Sequence, residues 1–143
     1  MERESQSPLR LLVIDGHESV REALLDHLSR LPLVGSVAAA GSVATALAFL
    51  REFRPDLVLY DPRTLQGNPV DIIHRLAETR CPIVVLTSSL WDEEETLCLN
   101  AGAAAVVLKG TDLGALLAAL TQPGQRAGQP VPPVLRRTRR LPE

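Results

Sequence analysis

Four polar residues each close a run of aliphatic ones. Asp15 follows Leu11 Leu12 Val13 Ile14, Asp61 follows Leu57 Val58 Leu59 Tyr60, Thr87 follows Ile83 Val84 Val85 Leu86, and Lys109 follows Ala105 Val106 Val107 Leu108. A polar residue so placed stands at the carboxyl end of a buried parallel strand, where the loops of an open α/β sheet splay apart and leave a crevice. Two carboxylates, a hydroxyl and an ammonium meeting on one rim suit phosphoryl chemistry, in which charge gathering on the phosphoryl oxygens must be offset by cations and donors. The gap in the set is Gly16, directly after the first acid. Singly, each residue has an ordinary reading: Asp61 before Pro62 as a turn former, Thr87 as a helix cap, Lys109 as a solvated strand end. Their joint placement is what argues for a site.

The elements that must position these groups alternate five times. Aliphatic segments too short for helices predict strands over 10–14, 35–39, 56–60, 82–86 and 105–108, with the second, Gly-Ser-Val-Ala-Ala, the weakest signal. Between the first two, Val20, Ala23, Leu24, His27, Leu28 and Leu31 recur with helical period, and Leu31 Pro32 ends that run. Ser42 is placed to cap a helix reaching about Phe53, with Val43, Ala46, Leu47 and Leu50 inward. Asn68 Pro69 Val70 Asp71 is a compact start signal: a cap, a proline at the first helical position, and an acid in the first turn. Asp92 and Glu93 to Glu95 suit a positive helix terminus, and Asn100 Ala101 Gly102 closes that helix. Thr111 or Asp112 caps the last helix, striped by Leu113, Leu116, Leu117 and Leu120. Such alternation predicts βαβ units and a five-stranded parallel sheet in a doubly wound, flavodoxin-like (βα)5 fold.

Composition agrees with one domain. The chain has 143 residues, 45% hydrophobic but only 3% aromatic, so the core is Leu, Val, Ile and Ala, as in a sheet covered on both faces. Cys81 and Cys98 stand in apolar surroundings without ligand-like spacing and read as structural thiols. His17, His27 and His74 read as surface or half-buried residues rather than metal ligands. No stretch approaches the roughly 18 apolar residues of a membrane span, and Met1 to Pro8 is polar; a cytoplasmic location is expected. The net charge of −2 is uneven: the last 23 residues carry +4, through arginines 126, 136, 137, 139 and 140 against Glu143, leaving −6 for the rest. We expect the domain over 9–120, followed over 121–143 by a Pro/Arg-rich linker or disordered tail. The Arg136–Arg140 run raises phosphate contact with nucleic acid, but without interleaved aromatics a solvated tether is the stronger reading.

On these residues the chain resembles the receiver domain of two-component response regulators, especially the branch followed by a helix-turn-helix output domain. The matching text is Leu12 Val13 Ile14 Asp15 Gly16 His17, then Arg54 Pro55 Asp56 Leu57 Val58 Leu59 Tyr60 Asp61, then Pro82 Ile83 Val84 Val85 Leu86 Thr87, then Asn100 Ala101 Gly102 Ala103 with Val107 Leu108 Lys109. No piece is specific alone; four in the right order and spacing are. The resemblance implies that Asp61 accepts a phosphoryl group from a histidine kinase and that Lys109 pairs with the carboxylate and later the phosphoryl group. It also implies that Thr87 donates its hydroxyl to a phosphoryl oxygen, and that Mg²⁺ binds Asp15, Asp61 and the Arg63 carbonyl. Such a domain is not an enzyme beyond accepting and slowly losing phosphate. Homodimerisation through the 92–120 face is expected, with DNA reached only through an output domain. Trp91, on that side, is either a contact hot spot or a cover for the sheet edge.

Three departures stand against this. Gly16 replaces the second acid of the family's pair, weakening the metal site, with Glu18, two positions on in the first helical turn, as a poor substitute. Val106 stands where an aromatic switch residue is expected, and Leu65 where a proline is common. Arg63 is placed to lean on Asp61 as an internal counter-ion. Two readings follow: an atypical, phosphorylatable receiver, or a pseudo-receiver kept as a phosphorylation-independent interaction or dimerisation module. A nucleotide-binding flavodoxin relative is the least favoured, since no glycine-rich phosphate loop follows the first strand.

Overall fold

The computed structural model describes residues 8–88 and 92–121; Trp91 and the arginine-rich segment from 122 onward lie outside the described residues. Five strands and five helices alternate along the chain: β1 (Leu9–Ile14), α1 (Glu18–Ser29), β2 (Val34–Ala40), α2 (Val43–Glu52), β3 (Leu57–Tyr60), α3 (Pro69–Ala77), β4 (Ile83–Thr87), α4 (Asp92–Ala101), β5 (Ala105–Leu108) and α5 (Leu113–Leu120). All pairings are parallel, in the order β2-β1-β3-β4-β5. The faintly marked second strand is seven residues long and lies at the edge, where only its terminal Ala40 is buried. Its residues are mostly half-buried rather than buried, which explains why its sequence signal is weak.

The helix limits follow from local chemistry. The Ser42 Oγ accepts the Thr45 N–H at 3.2 Å, the Asn68 Oδ1 accepts the Val70 N–H at 2.8 Å ahead of Pro69, and the Asp112 Oδ1 accepts the Ala115 N–H at 3.0 Å. Each side chain satisfies an amide that the first helical turn leaves open. Asp112, rather than Thr111, is thus the cap of α5. Gly102 follows α4 at φ +125°, a conformation that side chains resist.

Alternation along the strands sorts the core into two layers. Leu12, Ile14, Val58, Tyr60, Val85 and Val106 face α2, α3 and α4, packing with Leu50, Ile73, Leu76 and Cys98. Leu11, Val13, Leu59, Val84 and Val107 face α1 and α5, packing with Leu28, Leu113, Leu116 and Leu117. Because the central strands are buried on both faces, their sequences are continuous aliphatic runs. Among the described residues no helix is long and apolar enough to cross a membrane.

Three groups packed in the α2–α3–α4 layer, Tyr60, Cys81 and Cys98, carry testable chemistry. The Tyr60 hydroxyl is buried without a hydrogen-bond partner among the described residues, and burial pushes its phenol well above its ordinary range, with Cys98 and Asp61 adding to the effect. Replacing Tyr60 with Phe removes an unsatisfied polar atom and keeps the ring. The substitution should stabilise the fold by about 1 kcal/mol, read as a raised denaturant midpoint with an unchanged slope. Cys81 and Cys98 are free thiols, raised mainly by burial to about 12 and about 11, with Asp56 and Glu94 respectively contributing. Both are therefore protonated at neutral pH. Alkylation of the native protein at pH 8 should run on the order of a hundredfold slower than that of a free thiol and accelerate as pH rises; reaction at the free-thiol rate would contradict this burial.

Candidate functional site

Strand order builds the site. Chain order reverses at β1, whose neighbours are β2 on one side and β3 on the other. The loop after β1 leaves toward the α1–α5 face and the loop after β3 toward the α2–α3–α4 face, opening a crevice at their carboxyl ends. Ladder bonds continue into that rim. The Asp61 N–H donates to the Ile14 carbonyl at 3.1 Å, the Asp15 N–H to the Ala40 carbonyl at 3.1 Å, and the Lys109 N–H to the Thr87 carbonyl at 2.8 Å. All four residues singled out in the sequence are thus fixed at strand ends by backbone pairing before their side chains interact.

Asp15, Asp61 and Thr87 are buried, at 1%, 5% and 1% exposure. The Lys109 Nζ lies 2.5 Å from the Asp61 Oδ2 and 3.7 Å from the Asp15 Oδ2, so one ammonium serves two carboxylates. Buried carboxylates side by side would repel and lose hydration; a cation between them offsets both costs. The remaining oxygens are held by the backbone. The Asp15 Oδ1 accepts the His17 N–H at 2.8 Å, and the Asp61 Oδ1 accepts the Arg63 N–H at 2.9 Å. Thr87 closes β4 opposite Leu108 in register, so it borders the same rim.

Other expectations are corrected. The guanidinium of Arg63 reaches the Glu94 Oε1 at 2.8 Å on α4, so what Asp61 receives from residue 63 is a backbone N–H rather than the counter-charge expected of its side chain. Glu18 is exposed on the first turn of α1 and does not fill the place of the missing acid. Three neighbours were not apparent from sequence. His17 stands at the N-cap of α1 with its Nδ1 3.5 Å from the Asp15 Oδ1. The Arg21 Nη1 donates to the Asp15 carbonyl at 2.8 Å. Thr64, three residues after Asp61, donates its hydroxyl to the Asp61 carbonyl at 3.0 Å and accepts the Gly16 N–H at 2.8 Å. Its only sequence cue was a hydroxyl residue in an i, i+3 turn position.

A divalent cation can be tested against these donors. The Asp15 Oδ2 is buried and makes no hydrogen bond among the described residues, which leaves one carboxylate oxygen for a cation. No group of three or more acidic, His or Cys side chains is placed to hold a metal among the described residues. The donors fit a magnesium-type ion as a two-carboxylate site completed by carbonyl and water oxygens, within what that ion accepts. At position 16 a third carboxylate has no room: a Cβ built on Gly16 would fall 2.0 Å from the Thr64 carbonyl oxygen.

Comparison with known proteins follows the same lines. Residues 11–121 match the family described as the response regulator receiver domain. The DNA-binding transcriptional activator DevR/DosR of Mycobacterium tuberculosis is 36% identical over 105 residues, covering 71% of this chain and 48% of that protein. The response regulator GacA of Pseudomonas viridiflava is 30% identical over 114 residues, covering 78% of this chain and 53% of the relative. The chain thus spans about half the length of these relatives. A two-component response regulator of the LuxR family from Aurantimonas superposes with a TM-score of 0.73 at 24% identity, covering 92% of this chain and 96% of that one. The receiver domain of NarL from Mycobacterium tuberculosis does so at 0.70 and 22%, covering 82% and 99%. At these identities the structural likeness speaks for the fold.

The charge arrangement gives a direct expectation. Lys109→Met should lower stability by about 1–2 kcal/mol, below the value for a fully buried pair because a third of the Lys109 side chain is solvated. The loss should shrink when Asp61 is already Asn. Equal losses in both backgrounds, measured by denaturant unfolding as a double-mutant cycle, would show that the ammonium is not coupled to Asp61.

Proposed function

Because the chain belongs to the response regulator receiver domain family, we propose that Asp61 is its phosphoacceptor and that the domain works as an atypical receiver of a transcription regulator. The observation that carries this reading is the Lys109 ammonium held 2.5 Å from a buried Asp61 carboxylate at the sheet's switch point. A carboxylate ordered by a backbone N–H and faced by a cation is prepared for attack on a phosphorus centre.

In the proposed step an Asp61 oxygen forms a bond to the phosphorus of a phosphohistidine on a sensor kinase while the P–N bond breaks. The electron pair leaves with the imidazole, which takes up a proton, and an acyl phosphate remains on Asp61. Lys109 stays beside the negative charge throughout. The Thr87 hydroxyl, at the end of β4, donates to a phosphoryl oxygen. Mg²⁺ held weakly by Asp15, Asp61 and the Arg63 carbonyl would supply further positive charge. The acyl phosphate is lost slowly by hydrolysis, so the domain is a switch rather than an enzyme.

The likeness to regulators named as transcriptional supports a DNA-related output, reached through a further domain, with the receiver in the cytoplasm and paired as a homodimer through the 92–120 face. Leu97 on α4, 56% exposed, is the one large apolar side chain standing out to solvent among the described residues, and it lies on that face. A second reading is favoured by Val106: it is fully buried in the α2–α3–α4 layer, and a valine has no ring to swing outward. In that reading the domain pairs with partners independently of phosphate.

Incubation with acetyl phosphate and Mg²⁺ separates the two. The phosphorylatable receiver should gain one phosphoryl mass on Asp61, abolished by Asp61→Asn and reduced at least about tenfold in rate by Lys109→Ala. No mass gain from either acetyl phosphate or a phosphorylated kinase would leave the phosphate-independent module.

A further inference from the structure

We propose that Thr64 is the positioning residue of this site, and that Gly16 is the residue its loop requires rather than the remnant of a lost ligand. The inference deepens the receiver reading but rests on loop geometry that exists whether or not Asp61 is phosphorylated. Beyond the final ladder bond, from the Asp61 N–H to the Ile14 carbonyl, the loops after β1 and β3 diverge to opposite faces of the sheet. The Thr64 hydroxyl bridges them. It accepts the Gly16 N–H at 2.8 Å and donates to the Asp61 carbonyl at 3.0 Å, using its single proton and one lone pair in opposite directions. A side chain without a hydroxyl can make neither bond. The bridge therefore joins the loop carrying Asp15 to the loop carrying Asp61, and thereby sets how the two carboxylates face Lys109.

The same closure dictates glycine at position 16. With the loop drawn down, a Cβ on residue 16 would meet the Thr64 carbonyl oxygen at 2.0 Å, its carbonyl carbon at 2.9 Å and a Leu65 methyl at 3.4 Å. The first two are backbone atoms, so no rotamer relieves the contact; the loop itself must lift. Reinstating an acid at position 16 therefore does not rebuild a three-carboxylate site. It trades the bridge for the carboxylate and moves Asp61 away from its cation.

The test uses the full chain with Thr64→Ser, Thr64→Val, Gly16→Ala, Gly16→Asp and the Thr64→Val/Gly16→Ala double variant. Hydrogen exchange of the Gly16 amide, followed by NMR, reads the bridge without metal or phosphate. It should be slow in the parent and in Thr64→Ser and at least about tenfold faster in Thr64→Val. Thermal midpoints should show Gly16→Ala costing more in the parent than in the Thr64→Val background, where the loop is already free to lift. Mg²⁺ titration, read from amide shifts around residues 15 and 61, should show Gly16→Asp binding no more tightly than the parent. With acetyl phosphate, Thr64→Val should lower the maximal rate of Asp61 modification and Thr64→Ser should restore it. Unchanged Gly16 exchange in Thr64→Val, additive midpoints, or tighter Mg²⁺ binding by Gly16→Asp would each overturn the proposal. Absence of phosphorylation in the parent, with the exchange and midpoint results as expected, would instead remove the phosphoacceptor reading and leave the bridge standing.

Discussion

Two carboxylates at the mouth of one sheet are a constraint that the surrounding structure has to meet. Asp15 and Asp61 are almost wholly buried, adjacent through the β1–β3 pairing, and of like charge. Left alone they would lose hydration and repel. The Lys109 ammonium near both, the His17 and Arg63 amides on one oxygen of each, and the ladder bond that fixes the Asp61 backbone together make that burial tolerable. The sheet order exists in the same relation: it brings the ends of β1 and β3 side by side and sends their loops to opposite faces. The last strand, β5, delivers Lys109 from the far side of β4. The site is thus a balance of charge laid over a topological feature, and each part is of little use without the other.

That balance also frames the departures from the usual receiver pattern. With glycine at position 16 the pocket carries two carboxylates against one ammonium, so less positive charge is needed from outside than three carboxylates would call for. The loop after Asp61 comes down into the space a third side chain would use, and the Thr64 hydroxyl joins it to the first loop. Metal ligation and loop closure compete for the same few cubic ångströms. In this chain the space is taken by the loop, closed by the Thr64 hydroxyl on the Gly16 N–H.

On the far side of β3 the same economy of space applies. Ile14, Tyr60, Val85 and Val106 form one row across four strands, through the register of β1 with β3, β3 with β4 and β4 with β5. The row carries its one aromatic ring on β3, beside Asp61, rather than on β5. The ring is buried with its hydroxyl unpaired, under the same helices that Val106 packs against. Between the end of β3 and α4 stand this row of branched side chains with one ring, and the Arg63–Glu94 pair that ties the loop after Asp61 to α4.

Most of the framework was readable from residue order. Aliphatic runs marked the strands, caps at Ser42, Asn68 and Thr111 or Asp112 marked helix starts, and strand-end polar residues marked the site, because each signal is local: a cap bonds within three residues, and a strand buried on both faces must be apolar throughout. The resemblance to receivers rested on the same local text. The edge strand was faint because its residues are mostly only half-buried, which relaxes its composition. What only the tertiary structure decided lies between segments distant in sequence. It paired Arg63 with Glu94 rather than with Asp61, set Thr64 against Gly16 across 48 residues, and put the Thr64 backbone carbonyl where a side chain at position 16 would lie. Residue types name the groups that can meet; which of them do is settled by how two loops of different lengths fold onto one rim, and that depends on three-dimensional closure that no local pattern encodes.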